Sequence, residues 1–268
     1  MTSVRVLSSH PRAASIRVRE RLIEHYRSGI VACAGLMAHG RGEAFDYLLG
    51  EETTSPALKA TEAAAAALLT SDRPVISVNG NVAALVAKDV VRLSRAASAR
   101  IEVNLFYRTA GRERAIRDLL MKAGAREVLG VGRNASGRIP ELGSERRRVD
   151  REGMLMADVV LVPLEDGDRT EALVKMGKRV VAVDLNPLSR TSQQASITIV
   201  DNITRAMPKL IEAVKELKRK SPSERSEILR AFDNKRNLGE LLQLINQRLA
   251  KLAQEGKSPV PEGEKTGL

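Results

Sequence analysis

Apolar residues recur along this chain in two rhythms that change places twice. Over residues 11 to 29, Ile16, Leu22, Ile23 and Tyr26 follow a helical period, which predicts an amphipathic helix with Pro11 in its first turn and Gly29 as its stop. An apolar run over residues 30 to 36 leads into His39-Gly40-Arg41-Gly42-Glu43, which its glycines mark as a loop, and then a second helix over residues 43 to 49. Residues 56 to 69 predict an Ala-rich helix suited to close packing. From Pro74 the pattern turns to short apolar runs at 75–78, 101–106, 127–131, 159–163, 179–184 and 197–201. Helical stretches follow residue 81 and cover 112–122 and 170–176, while the polar, Arg-rich residues 133 to 154 read as a connection crossing the sheet edge. Short, fully apolar strands joined by helices predict an α/β fold with a Rossmann-like, doubly wound, mostly parallel sheet.

The helical period resumes at Asn202. Ala206, Leu210, Ile211, Val214 and Leu217 make one stripe, and Leu238, Leu241, Leu242, Ile245, Leu249 and Leu252 make another, with polar residues 220 to 224 between them. Such stripes must cover either the sheet or a partner subunit. The expected organisation is a single domain over residues 1–256: N-terminal helices to residue 72, a sheet core over 73–201 and C-terminal helices over 202–256. The Gly-, Pro-, Glu- and Lys-rich residues 257–268 predict a disordered tail.

Composition narrows the function. A chain of 268 residues with 43% hydrophobic content can bury a large core, but with 2% aromatics that core must be aliphatic. A net charge of +11 invites a nucleic-acid partner. Against this, the basic residues alternate with acids along helices, and few aromatics are available to stack on bases. RNA binding therefore stands as the weaker reading, with no nucleic-acid partner expected. Cys33 is the only cysteine and the three histidines lack a zinc spacing, so no metal cluster or intrachain disulfide is expected. No run is long enough to span a bilayer and no apolar leader is present, so the expectation is a cytoplasmic protein without a membrane partner.

Chemistry collects at predicted strand ends. Asp184-Leu185-Asn186-Pro187-Leu188-Ser189-Arg190-Thr191 leaves the strand ending at Val183, on the edge where open α/β sheets bind ligands. Asp-x-Asn-Pro also makes an ordinary turn, but a turn needs neither the Arg nor the Thr. Asn79-Gly80-Asn81 joins a strand to a helix whose first amides could hold phosphate, or Asn79 could simply cap that helix. Asn104 extends the rim, with Arg108 beyond it either contributing or only solvating its loop. Asp201-Asn202 repeats the design, with Asn202 as an alternative helix cap. In His39-Gly40-Arg41-Gly42-Glu43, Arg41 suits a phosphate or carboxylate, His39 suits proton transfer or a structural hydrogen bond, and Glu43 suits a helix cap. Arg19 reaches the site if its helix crosses the sheet edge. No nucleophile motif is present, which favours phosphoryl or adenylyl transfer by orientation and charge neutralisation, with Mg2+ brought by ATP. Asp184 would then touch either that ion or a ribose hydroxyl. A kinase of a small hydroxy acid fits the same residues.

Beyond these local signals, the chain closely resembles the archaeal phosphopantothenate synthetases, or 4-phosphopantoate–β-alanine ligases, over nearly all of residues 9 to 250. The resemblance rests on His10-Pro11-Arg12, residues 29 to 36, residues 38 to 47, Asn79-Gly80-Asn81 and residues 183 to 192. It implies a homodimer that joins 4-phosphopantoate to β-alanine with ATP, through an acyl-adenylate, releasing AMP and diphosphate in coenzyme A biosynthesis. It also implies nucleotide contacts at Arg19, Arg41, Asp184, Leu185, Asn186, Arg190, Thr191, Asn202 and Ile203. Arg41, His39 and Asp184 are the expected catalytic residues. Asn79, Gly80, Asn81 and Asn104 are inferred to hold the phosphopantoate.

Overall fold

A computed structural model describes His10 and residues 12–256; Pro11 and the tail 257–268 lie outside the described residues. The helices are α1 (Ala13–Arg27), α2 (Cys33–Leu49), α3 (Ser55–Leu69), α4 (Gly80–Ala97), α5 (Ala110–Lys122), α6 (Gly167–Lys175), α7 (Arg190–Gln194), α8 (Ile203–Leu217), α9 (Pro222–Ala231) and α10 (Asn234–Glu255). The strands are β1 (Pro74–Val78), β2 (Arg100–Val103), β3 (Gly137–Arg138), β4 (Arg148–Val149), β5 (Val159–Pro163), β6 (Arg179–Val183) and β7 (Ile197–Ile199).

Five strands form one parallel sheet in the order β2-β1-β5-β6-β7. One row of side chains crosses all five: Ile101, Ile76, Leu161, Val181 and Ile197 stand in register and share one core cluster. Their neighbours Val75, Val160 and Val180 point to the opposite face, as the twofold alternation of a strand requires, and fill a second cluster. Helices α3, α4, α5 and α8 cover the first face, while α6 and residues 139 to 157 cover the second. Burial on both faces explains why the strands read as unbroken apolar runs.

Leu129 adds a single parallel bridge outside β2, through Val103 N–H to the Leu129 carbonyl at 2.9 Å and Leu129 N–H to the Ile101 carbonyl at 2.8 Å. Counting it, the order is that of a doubly wound, Rossmann-like sheet, with the switch point between β1 and β5. The strand expected over 127–131 is thus reduced to one residue. Gly130 turns left-handed at φ +74°, and a Cβ there would lie 2.5 Å from the Val103 carbonyl, so the chain leaves the sheet at once. The connection expected over 133–154 is ordered by the antiparallel pair β3–β4.

The first C-terminal stripe lies on α8 and covers the sheet, with Leu210 and Val214 fully buried. The segment between the stripes forms α9, opened by a capping box of Ser221 and Glu224. In α10, Leu238, Leu241 and Ile245 pack with Leu49, Leu185 and Val200 in a third cluster, whereas Leu242 and Leu249 stay exposed. Asn234 closes the β7 edge: its Oδ1 accepts Thr198 N–H at 2.8 Å and its Nδ2 donates to the Ser192 and Ala195 carbonyls, each at 3.0 Å.

Candidate active site

The largest departure from sequence expectation sits at the site itself. His39-Gly40-Arg41-Gly42-Glu43 is the middle of α2 and not a loop. Glycine costs an exposed helix about 1 kcal/mol relative to alanine. Here α2 packs on the loop after β6, the Gly42 Cβ position lying at ordinary contact distance, 3.5 Å, from Leu185 Cδ1. Tertiary packing overrides the local turn signal. Helix α2 thereby lies along the carboxyl edge of β6 and β7.

Asp184 ends β6. It accepts the Asn186 N–H at 3.0 Å and the Ser189 hydroxyl at 2.5 Å, and Asn186 Oδ1 accepts the Leu188 N–H at 2.9 Å. Ser189 then caps α7 by accepting the Ser192 N–H at 3.0 Å. The turn chemistry is real, and it shapes a rim. Burial pushes the Asp184 carboxyl above the usual range, against the pull of Ser189, Asn186 and the nearby Arg41 guanidinium. Arg41 is exposed and makes no hydrogen bond or ion pair among the described residues. It is a cation beside the loop with its donors unspent.

Other rim residues are spoken for. Leu185 buries its side chain in the third cluster. Arg190 is engaged by α6 through Asp168 at 2.5 Å and Glu171 at 2.8 Å, so its guanidinium is not brought to Arg41. Thr191 donates to the Glu165 carbonyl at 2.9 Å and ties the loop to the end of β5. Asn202 caps α8 through Thr204 N–H at 3.1 Å, and Ile203 is buried in the main core.

At the switch point, Asn79 caps α4 by accepting Val82 N–H at 3.1 Å and donates to the Pro163 and Leu164 carbonyls at 3.2 and 2.9 Å. Leu164 holds a left-handed φ of 53°, a conformation costly for a residue with a branched side chain. Gly80 admits the Ile30 carbonyl, which would lie 2.3 Å from a Cβ. Asn81 donates to the Gly35 carbonyl of α2 at 2.8 Å. Asn104 is fully buried and donates to the Arg146 and Arg148 carbonyls, each at 3.1 Å. These four residues brace the segments around the rim, the three asparagines through side-chain hydrogen bonds within the protein. Arg108 is likewise a brace: its side chain is buried, pairs with Glu113 and donates to the Gly130 and Arg148 carbonyls.

Sequence reasoning passed over three polar knots. Glu43, far from capping a helix, grips Arg19 at 2.8 Å and Arg12 at 3.1 Å. Asp46 holds Arg205 and Asn202, while Asp201 takes Arg205 at 2.7 Å and the Thr53 hydroxyl at 2.6 Å. Glu165 sits between Arg146 at 2.6 Å and Arg169 at 2.5 Å. Read as helix, Glu43, Asp46 and Tyr47 share an i, i+3, i+4 face, which is the signal that would have found the first two. Burial lowers the His39 pKa below 6.5, with Arg19 adding to it and Glu43 and Asp46 opposing, and Nε2 has no hydrogen-bond partner among the described residues.

A cleft of about 550 Å³ opens on the β5–α6 side and includes neither Arg41 nor Asp184. Its rim carries Glu141, Glu145, Asp166, Asp168 and Glu171 against Lys175. That charge repels a triphosphate, which leaves the Arg41–Asp184 edge as the better anion site.

Among known proteins, the model of the phosphopantothenate/pantothenate synthetase family matches residues 56–248. A 4-phosphopantoate–β-alanine ligase of Thermococcus kodakarensis is 54% identical over 254 residues, covering 94% of this chain and 97% of its own. Proteins of the same name from Thermococcus onnurineus and Methanosarcina mazei are 53% and 50% identical, covering 94% and 92% of this chain and 97% and 96% of their own.

Proposed function

The chain belongs to the phosphopantothenate/pantothenate synthetase family, and from that premise we propose that it condenses 4-phosphopantoate with β-alanine at the expense of ATP. The product is 4'-phosphopantothenate, made in the cytoplasm for coenzyme A biosynthesis. The observation that carries the reading is Arg41, a guanidinium with no partner among the described residues beside the partly buried Asp184 at the strand ends. Uncommitted charge at that edge suits a phosphate group.

In this reading a carboxylate oxygen of 4-phosphopantoate attacks the α-phosphorus of ATP and diphosphate leaves. The β-alanine amine then attacks the acyl carbon of the acyl-adenylate and AMP leaves. Arg19 and Arg41 offset phosphate charge. Asp184, Asn186 and Thr191 line the nucleotide, Leu185, Asn202 and Ile203 meet it through the backbone, and Arg190 exchanges its α6 carboxylates for phosphate. Asp184 supplies one carboxylate, which fits Mg2+ arriving on nucleotide phosphates with few protein ligands. His39, kept neutral by burial, takes the proton of the attacking amine. Asn79, Gly80, Asn81 and Asn104 form the floor for the acid by fixing the backbone around the switch point. Two copies pair through helical faces, α10 offering the exposed Leu242 and Leu249.

Product analysis by mass tests the proposal. With ATP, 4-phosphopantoate and β-alanine, AMP and phosphopantothenate should accumulate together, and omission of the amine should stop turnover. Formation of ADP without the amine would instead make the protein a kinase.

A further inference from the structure

Glu43 lies mid-helix in α2, 9% exposed, and collects four donors. Arg19 Nε reaches its two oxygens at 3.1 and 3.0 Å, and Arg19 Nη2 reaches Oε1 at 2.8 Å. The Tyr47 hydroxyl donates to Oε1 at 3.0 Å and Arg12 Nη2 at 3.1 Å. Arg12 also stacks over the Tyr47 ring, 4.7 Å from its centroid. Arg19 therefore spends Nε and one Nη on its own protein, while Nη1 makes no hydrogen bond among the described residues. Its side chain remains 41% exposed.

We propose that Glu43 is a positioning residue for the adenylation step, holding Arg19 so that its free Nη1 edge is presented to the nucleotide phosphates. The inference rests on the ATP-dependent reading above. An unrestrained arginine gives up rotamer freedom when it is fixed on a ligand. A forked carboxylate removes that freedom in advance, which is how an oriented group gains its advantage over a mobile one. Arg12, at the N-cap of α1, already clasps α2 by stacking on the ring of Tyr47, whose hydroxyl also accepts Arg19 Nη2 at 3.2 Å. The fork on Arg19 is thus an orienting contact in addition to a clasp.

The test is a double-mutant cycle of Glu43→Gln and Arg19→Ala, reading KM for ATP, KM for 4-phosphopantoate, kcat and the melting midpoint. Glu43→Gln should raise KM for ATP by about tenfold, the worth of one charge-assisted hydrogen bond, and leave KM for 4-phosphopantoate unchanged. Glu43 acts through Arg19, so the double variant should match Arg19→Ala alone. Multiplying effects in the double variant, or an unchanged KM for ATP in Glu43→Gln, would overturn the role of Glu43 while AMP formation by the wild type upheld the ligase reading. A wild-type chain forming no AMP would overturn both. If Glu43→Gln does not fold, Glu43→Asp replaces it, keeping the charge but drawing it back from Arg19: a rise in KM for ATP of roughly threefold is expected, absent in the Arg19→Ala background. The same rise in that background would refute the proposal.

Discussion

Asp46 of α2 and Arg205 of α8 stand 159 residues apart in sequence yet meet through two contacts, at 3.1 and 2.5 Å. Asp46 is 4% exposed, and it also accepts the Asn202 side-chain amide at 3.2 Å. The pair fixes the helix that carries His39 and Arg41 to the start of the helix that opens at Asn202. Asp46→Ala should cost about 2 kcal/mol, less than a fully buried pair, because Arg205 keeps Asp201 and is partly solvated. Urea unfolding measures it, and an unchanged midpoint would make the contact incidental.

Arg41→Ala should separate activity from stability. The side chain is exposed and forms no bond among the described residues, so its loss should leave the melting midpoint within measurement error. Transition-state charge should lose one oriented donor, lowering kcat/KM for ATP by about a hundredfold. Wild-type kinetics in this variant would remove Arg41 from the mechanism.

His39 sets an expected acid limit on the rate. Its pKa is lowered from 6.5, chiefly by burial, so the neutral form required of a base predominates at pH 6.5 and is lost as pH falls through the lowered value. The acidic limb of the kcat/KM profile should therefore have its midpoint below 6.5, and His39→Ala should abolish that limb. An identical profile in the variant would assign the limb to another group.

Glu102 gives the opposite sign. It is fully buried in β2, accepts the Asp150 and Met154 N–H groups, and burial lifts its pKa from 4.5 to about 7. A raised carboxyl favours the folded state below 4.5, and that contribution is lost as pH rises through about 7. Glu102→Gln, which cannot ionise, should gain on the wild type over this window by about 3 kcal/mol. Parallel stability curves between pH 4.5 and 7 would contradict it.

Ending the chain at residue 236 should uncover Leu49, Leu185 and Val200, which α10 buries through Leu238, Leu241 and Ile245. The shortened protein should aggregate or melt well below the parent in a thermal scan. A soluble, fully active product would show that α10 is dispensable to the fold.

The strands were legible because a sheet buried on both faces leaves an unmistakable apolar run, as at Val159 to Val162. Asp184, at the end of such a run, was legible for the same reason. The misreadings share one cause: their determinants are remote in sequence. Gly40 and Gly42 signal a loop locally, but α2 is held by Arg19, Arg205 and Leu185 from three other segments. Leu129 looks like a strand until Gly130 turns beneath Val103. At Arg190, nothing adjacent in the sequence reveals that Asp168 and Glu171 face its guanidinium. Asn79, Gly80 and Asn81 announced a strand-to-helix junction correctly, yet their bracing of Ile30, Gly35 and Pro163 depends on contacts no pattern records.

The two ends of the sheet carry a lesson about self-association. One margin dwindles to Leu129, with the Gly130 carbonyl taken by Arg108; the other has its Thr198 amide stoppered by Asn234. A second chain seeking to prolong the ladder finds little main-chain hydrogen bonding left to capture, so runaway strand addition is discouraged at both borders. Any pairing of copies is thereby directed away from the sheet borders and toward helical faces, where a contact can close on itself and stop.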